Sequence, residues 1–186
     1  TANNTKPTRT ISWQVTDANS DLVGSANSLV VTSTVNITAV NDAPVVTAGS
    51  SLTYTENGSA AVIDNAIVIN DADDTQLASA SISIGNFVAG DILSFTNTAN
   101  ITGSYNSATG ILTLTGTDTL TNYQAALRSV KFSSVSDDPT ANNTKPTRTI
   151  SWQVTDANSD AVGAANSVIA TSVINVTAVN DAPVVT

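Results

Sequence analysis

The chain has 186 residues, six basic against fifteen acidic, and a net charge of −9, a balance that speaks against nucleic acid or an anionic membrane surface as partner. It contains no histidine and no cysteine, which removes triads built on either, imidazole or thiolate metal sites, and any disulfide framework. Apolar residues make up 41% of the sequence, and no apolar run approaches the roughly 20 residues that membrane insertion as a helix requires.

Thr, Ser, Asn, Val and Ile dominate, with three Phe, three Tyr and two Trp, the make-up of half-exposed β-strands joined by Asx-rich turns. Residues 11–40 read as a hairpin. Leu52 and Tyr54 alternate with Ser51 and Thr53 ahead of a Glu56-Asn57-Gly58 turn, and Ala66–Ile69 is a short apolar strand ending at Asn70-Asp71. Ala78, Ala80, Ile82 and Ile84 alternate with serines in the next strand. Ile92–Phe95, Ile101–Tyr105 and Ile111–Thr115 predict three more, the last two joined through Ser107-Ala108-Thr109-Gly110. Thr121–Arg128 predicts a short helix with Tyr123, Ala126 and Leu127 on one side and Thr121 or Asn122 as cap. Val130–Ser133 returns to strand. In the final hairpin Ile150, Trp152 and Val154 share one face, and a strand from about Ser167 to Val179 sets Val168, Ala170, Ile174 and Val176 inward with Val173 outward. The expectation is an all-β Greek-key sandwich with one short helix per repeat.

Residues 1–47 return as residues 140–186 with eight differences, a repeat period of 139 residues. The chain is therefore read as a window on a tandem array: 1–41 as the C-terminal hairpin of a preceding, truncated repeat, 42–180 as one complete repeat, and 181–186 as the start of the next. Fourteen of the fifteen acidic residues are aspartates, most of them in polar clusters at strand ends, and Glu56 is the single glutamate. Cations, not anions, are the expected partners of such loops.

The run Trp152-Gln153-Val154-Thr155-Asp156-Ala157-Asn158, followed by Val176-Thr177-Ala178-Val179-Asn180-Asp181-Ala182-Pro183, resembles the last two strands and linker of a cadherin-like domain. Asp71-Ala72-Asp73 is similar to that family's Asp-x-Asp motif, and Glu56 stands where the family has a base glutamate. The Val-Asn-Asp-Ala-Pro junctions and the Tyr123–Val130 stretch are closest in style to bacterial cadherin-like modules of giant surface adhesins. The resemblance implies an extracellular or cell-surface location and Ca²⁺ between adjacent repeats, stiffening the string. It further implies Asn41, Asp42, Asp71, Asp73 and Asp156 as ligands at one pole, with Glu56, Asn180 and Asp181 at the other. Two departures stand out: Ala43 and Ala182 follow the linker aspartate where the family has a second asparagine, and Asp118 has no Arg-Glu after it. One ion per junction is the resulting expectation.

Each residue also has a plainer reading. Asp71 and Asp73 would serve equally in an Asx turn, Glu56 as a turn residue, and Trp152 as core rather than sugar platform. Asp156-x-Asn158-x-Asp160 has the opening spacing of an EF-hand loop but lacks its glycine and terminal glutamate, so Asp160 is expected to be solvated. No cluster offers a reason for a raised carboxylate pKa, and close duplication favours length over catalysis, so no enzyme is expected. Two alternatives to a calcium-stiffened spacer remain. One is a self-associating extracellular fibre subunit exchanging or completing β-strands between copies. The other is a carbohydrate-binding module contacting matrix polysaccharide through Tyr54, Tyr105 and Tyr123.

Overall fold

The computed structural model describes residues 6–159 and 161–182, which leaves Asp160 and most of the expected start of the next repeat outside the described residues. Two strands come first: β1 (Thr8–Trp13) and β2 (Val31–Asn36), an antiparallel hairpin that pairs with no other strand among the described residues. The sandwich then follows from β3 (Val45–Thr47), β4 (Ser51–Thr55), β5 (Ala61–Val62), β6 (Val68–Asn70) and β7 (Gln76–Gly85). It continues through β8 (Asp91–Ser94), β9 (Thr102–Asn106), β10 (Ile111–Thr119), α1 (Leu120–Ser129), β11 (Lys131–Ser134), β12 (Thr147–Asp156) and β13 (Ala170–Thr177).

One layer is a six-stranded sheet ordered β4-β13-β12-β7-β10-β9, and the other combines the three-stranded β5-β11-β8 sheet with the β3-β6 pair. Among the described residues every pairing is antiparallel except β4 with β13. Period-2 alternation explains the core: Ile150, Trp152 and Val154 of β12 and Ala80, Ile82 and Ile84 of β7 turn the same way and are buried. From the facing layer Phe132 meets Tyr54 edge-on, ring centroids 5.1 Å apart. Arg148, fully buried on β12, is neutralised by Asp91 of β8 through an Nε–Oδ2 contact of 2.5 Å and also donates to Pro139 O. A buried ion pair of this kind is tolerable only with its remaining donors satisfied, and the carbonyls of Pro139 and Lys145 supply that.

The expected all-β sandwich with one helix is found, with local corrections. Val168 is 85% exposed, because pairing with β12 starts at Ala170 and the preceding residues belong to the loop. Leu77, not Ala78, enters the core, since the β7–β12 ladder shifts register at Thr155/Asp156. The N-cap of α1 is Thr119, whose hydroxyl accepts from Asn122 N, rather than Thr121 or Asn122, while Tyr123, Ala126 and Leu127 are buried as expected. The strand expected at Ala66–Ile69 is displaced to Val68–Asn70. The short β3 and β5 carry too few residues for a periodic signal and have no counterpart in the sequence expectation.

Candidate junction site

At one end of the sandwich the 41–44 link, the loop after β6 and the end of β12 come together. The side chains of Asp71 and Asp156 first build local turns. Asp71 Oδ1 accepts from Asp73 N at 3.1 Å and Asp74 N at 3.0 Å, which is the Asx turn of the plainer reading. Asp156, fully buried, accepts from Asn158 N at 3.0 Å and Ala165 N at 2.8 Å, closing the loop between β12 and β13. The link is then tied to these turns: Asn41 Nδ2 donates to Asp156 Oδ2 at 2.9 Å, and Asp42 N donates to Asp73 Oδ2 at 3.1 Å.

These hydrogen bonds do not use up the oxygens. Asn41 Oδ1, Asp71 Oδ2, Asp73 Oδ1 and Asp74 Oδ2 are all buried without a hydrogen-bond partner. Buried acceptors normally find donors, and carboxylates incur a larger penalty than neutral groups when they do not. The same crowding shows in the electrostatics. Burial raises the Asp71 carboxyl above its ordinary pKa, with the neighbouring Asp73 charge adding to the effect. Asp74 is raised by burial first and then by Asp156, Asp71 and Asp73. Oxygen-only donors, several of them ionised, buried and partnerless, are the donor chemistry that a hard divalent cation takes. Each carboxylate is turned toward backbone N–H groups, and among the described residues no three acidic side chains already converge as a metal-ligating group.

Asp74 lies outside the sequence expectation. It is buried, and its Oδ1 accepts from Ser159 N at 3.2 Å and from Ser159 Oγ. Its signal is the unbroken Asp73-Asp74 pair, which the Asp-x-Asp motif obscures.

The opposite pole is built around Glu56. Its backbone N–H donates to Thr177 O at 2.9 Å and its Oε2 accepts from Val179 N at 2.7 Å, so the β4 turn holds the chain as it leaves β13. Glu56 is buried, and Oε1 is a further partnerless oxygen. Asn180 and Asp181 follow directly and are exposed.

Asp64, which the family resemblance does not single out, gives a useful contrast. It is also buried but fully engaged, accepting from Gly49 N, Ser50 N, Ser50 Oγ, Ala66 N and Ser172 Oγ, and its pKa falls below the ordinary carboxylate range because those bonds outweigh burial. Two of the three tyrosines have no ring face exposed for sugar stacking, and Tyr105 is half-buried. Tyr54 and Tyr123 are buried, with hydroxyls on Gly58 O and Gly116 O, and Tyr105 donates to Asp91 O. Trp152 is core, its Nε1 donating to Ser172 Oγ at 3.0 Å. No helix among the described residues is long and apolar enough to cross a membrane.

No family model matches the chain. Halomucin from Haloquadratum walsbyi is similar to it, 37% identical over 117 residues that make up 59% of this chain and 1% of halomucin, which is accordingly a very long protein. Among solved structures, extracellular cadherin domains 3–6 of protocadherin gamma B2 align with 91% of the chain and 33% of theirs, at 16% identity and a TM-score of 0.39. A chain of a type I cohesin–dockerin complex from Clostridium thermocellum aligns over 75% of this chain and 99% of its own, at 9% identity and a TM-score of 0.42.

Proposed function

We propose that the chain is a spacer repeat of a large extracellular adhesin, divided at 1–41, 42–180 and 181–186, and that Ca²⁺ at its junctions stiffens the array. The observation that carries this reading is the set of partnerless oxygens from Asn41, Asp71, Asp73 and Asp74, buried beside the 41–44 link. Asn41, Asp42, Asp71, Asp73, Asp74 and Asp156 would hold the ion at this pole, and Glu56 with Asn180 and Asp181 would serve the other. When bound, Ca²⁺ supplies two positive charges and coordination for six to eight oxygens. The protein's own part is to tie the link down: Asn41 to Asp156, and the Asp42 backbone to Asp73. The 139-residue repetition supports an array, whose length grows with every copy.

Calorimetric titration of the 186-residue chain with CaCl₂, after chelator treatment, tests this together with limited proteolysis at 40–44. The expected outcome is saturable binding that protects the link, both lost in the Asp71→Asn, Asp73→Asn double variant. Absence of binding heat, together with equal cleavage in Ca²⁺ and chelator, would overturn it.

A further inference from the structure

The acidic loop of the junction pole, Asp71 to Asp74, is held at both ends by α1. Upstream of it, β6 has β3 on one edge, where Asn70 faces Val45 and Val68 faces Thr47, and no strand among the described residues pairs with the other edge. The helix serves that edge instead. Gln124 Oε1 accepts from Ile69 N at 3.1 Å, and Arg128 Nε donates to Ile67 O at 2.7 Å. Gln124 and Arg128 lie one turn apart on the same face of α1. Four helical residues rise about 6 Å and two strand residues about 6.6 Å, so this face matches alternate residues of a strand edge. Downstream, Leu120 N donates to Thr75 O at 3.2 Å, and Thr119 and Asp118 pair with Gln76 and Leu77. The stretch between these two anchorages carries Asp71 Oδ2, Asp73 Oδ1 and Asp74 Oδ2, all partnerless.

We propose that Gln124 is a positioning residue for the junction pole: its side-chain carbonyl fixes the end of β6, and with it the direction in which Asp71 and Asp73 present their free oxygens. Of the two helix side chains it is the nearer to Asp71 along β6. Ile69 is buried, so without this carbonyl its N–H would lack an acceptor in the interior, which is costly enough to shift the strand end or admit water. A loop fixed at both ends also has less conformational freedom to lose when an ion binds, and its donors hold the ion more tightly. The ion's part in this rests on the calcium reading above; the anchorage of the loop does not.

Two variants of the 186-residue chain test it: Gln124→Met, which keeps the side chain's length and removes its acceptor, and Gln124→Glu, which keeps an acceptor. Amide hydrogen exchange is read in chelator. In Gln124→Met the amides of Ile69, and of Asp73 and Asp74 that bond to Asp71 Oδ1, are expected to exchange at least about tenfold faster, with β7 and β12 unchanged. Gln124→Glu is expected to restore the natural rates. Calorimetric titration with CaCl₂ should show about tenfold weaker binding in Gln124→Met, the usual cost of losing a group that orients a metal ligand. Faster exchange at Ile69 alone, with Asp73 and Asp74 as protected as before, would overturn the proposal. So would loss of protection spread evenly over β7 and β12, the mark of a general stabilising contact, or an unchanged affinity in a chain that binds Ca²⁺. A natural chain that binds no Ca²⁺ would sink the calcium reading alone, because the exchange rates in chelator still decide whether Gln124 positions the loop.

Discussion

Residues 8–36 and 147–177 lie within a duplicated segment that differs at only eight positions, and they form the same hairpin in the same register: Thr8 faces Asn36 as Thr147 faces Asn175, and Trp13 faces Val31 as Trp152 faces Ala170. Even the fine detail repeats. Trp13 Nε1 donates to Ser33 Oγ at 3.1 Å, as Trp152 does to Ser172, and Asp17 caps its loop from Asn19 N and Ala26 N as Asp156 does from Asn158 and Ala165. The environments differ completely. Trp13 is 55% exposed and Trp152 is 0%, because only the second hairpin is flanked by β7 and β4. Hairpin shape is thus a local property of this sequence, whereas burial is conferred by strands distant in the chain.

Mutations in matched pairs sharpen this contrast. Trp152→Ala should destabilise the fold by about 3–5 kcal/mol, the usual range for emptying a buried aromatic site, and Trp13→Ala by no more than about 0.5 kcal/mol, typical of surface changes; urea unfolding measures both. Equal effects would mean that the first hairpin is packed in solution. Arg148→Met leaves Asp91 buried without its cation, an expected loss of about 3 kcal/mol or more, whereas Arg9→Met, at an exposed side chain bonded among the described residues to the carbonyls of Lys6 and Thr8, should leave the unfolding midpoint unchanged. In Ca²⁺ titrations Asp156→Asn should weaken binding at least about tenfold, near 1.4 kcal/mol, while Asp17→Asn should not; equal weakening would move the ion away from the proposed pole.

The smallest expected effect concerns pH. The folded-state pKa values of Asp71 and Asp74 lie above the unfolded ones, so in chelator their contribution becomes less favourable as pH rises from the ordinary carboxylate value through the raised one. Asp64 has the opposite sign: its stabilisation is present above the unfolded pKa and is lost as pH falls. The stability of the natural chain minus that of the Asp71→Asn, Asp74→Asn variant should therefore fall toward neutral pH, and Ca²⁺ should remove the trend. A difference that rises with pH in chelator would contradict the raised carboxyls that burial, and then neighbouring charge, produce at this end.

The long strands are legible in the sequence because strict alternation marks them, as in Ala80-Ser81-Ile82-Ser83-Ile84 and Ile150-Ser151-Trp152. β3 and β5 are not, since two or three residues hold no period and form only where β6 and β11 offer edges. The grouping of Asn41 with Asp156 and of Glu56 with the 179–181 link follows from the family resemblance rather than from any pattern within one loop. Asp74 and the hydrogen bonding of Asp118 are hidden for a related reason. Their character depends on which neighbour supplies the donor, Ser159 in one case and Asn122 in the other, and sequence spacing does not encode that pairing.

The parallel pairing of β4 with β13 has a mechanical meaning. The chain enters the sandwich through β3, held to β6 by three antiparallel pairs, runs on into β4 and leaves after β13, so once β3 has been peeled away tension along the chain pulls β4 and β13 in opposite directions. Five registered pairs, from Val173 with Ser51 to Thr177 with Thr55, then carry the load in shear at the same time. An antiparallel pair pulled from one end would instead unzip, its bonds breaking in succession at much lower force. A string of such units would resist stretching through its terminal strands, with the Glu56 bond to Val179 N clasping the exit point.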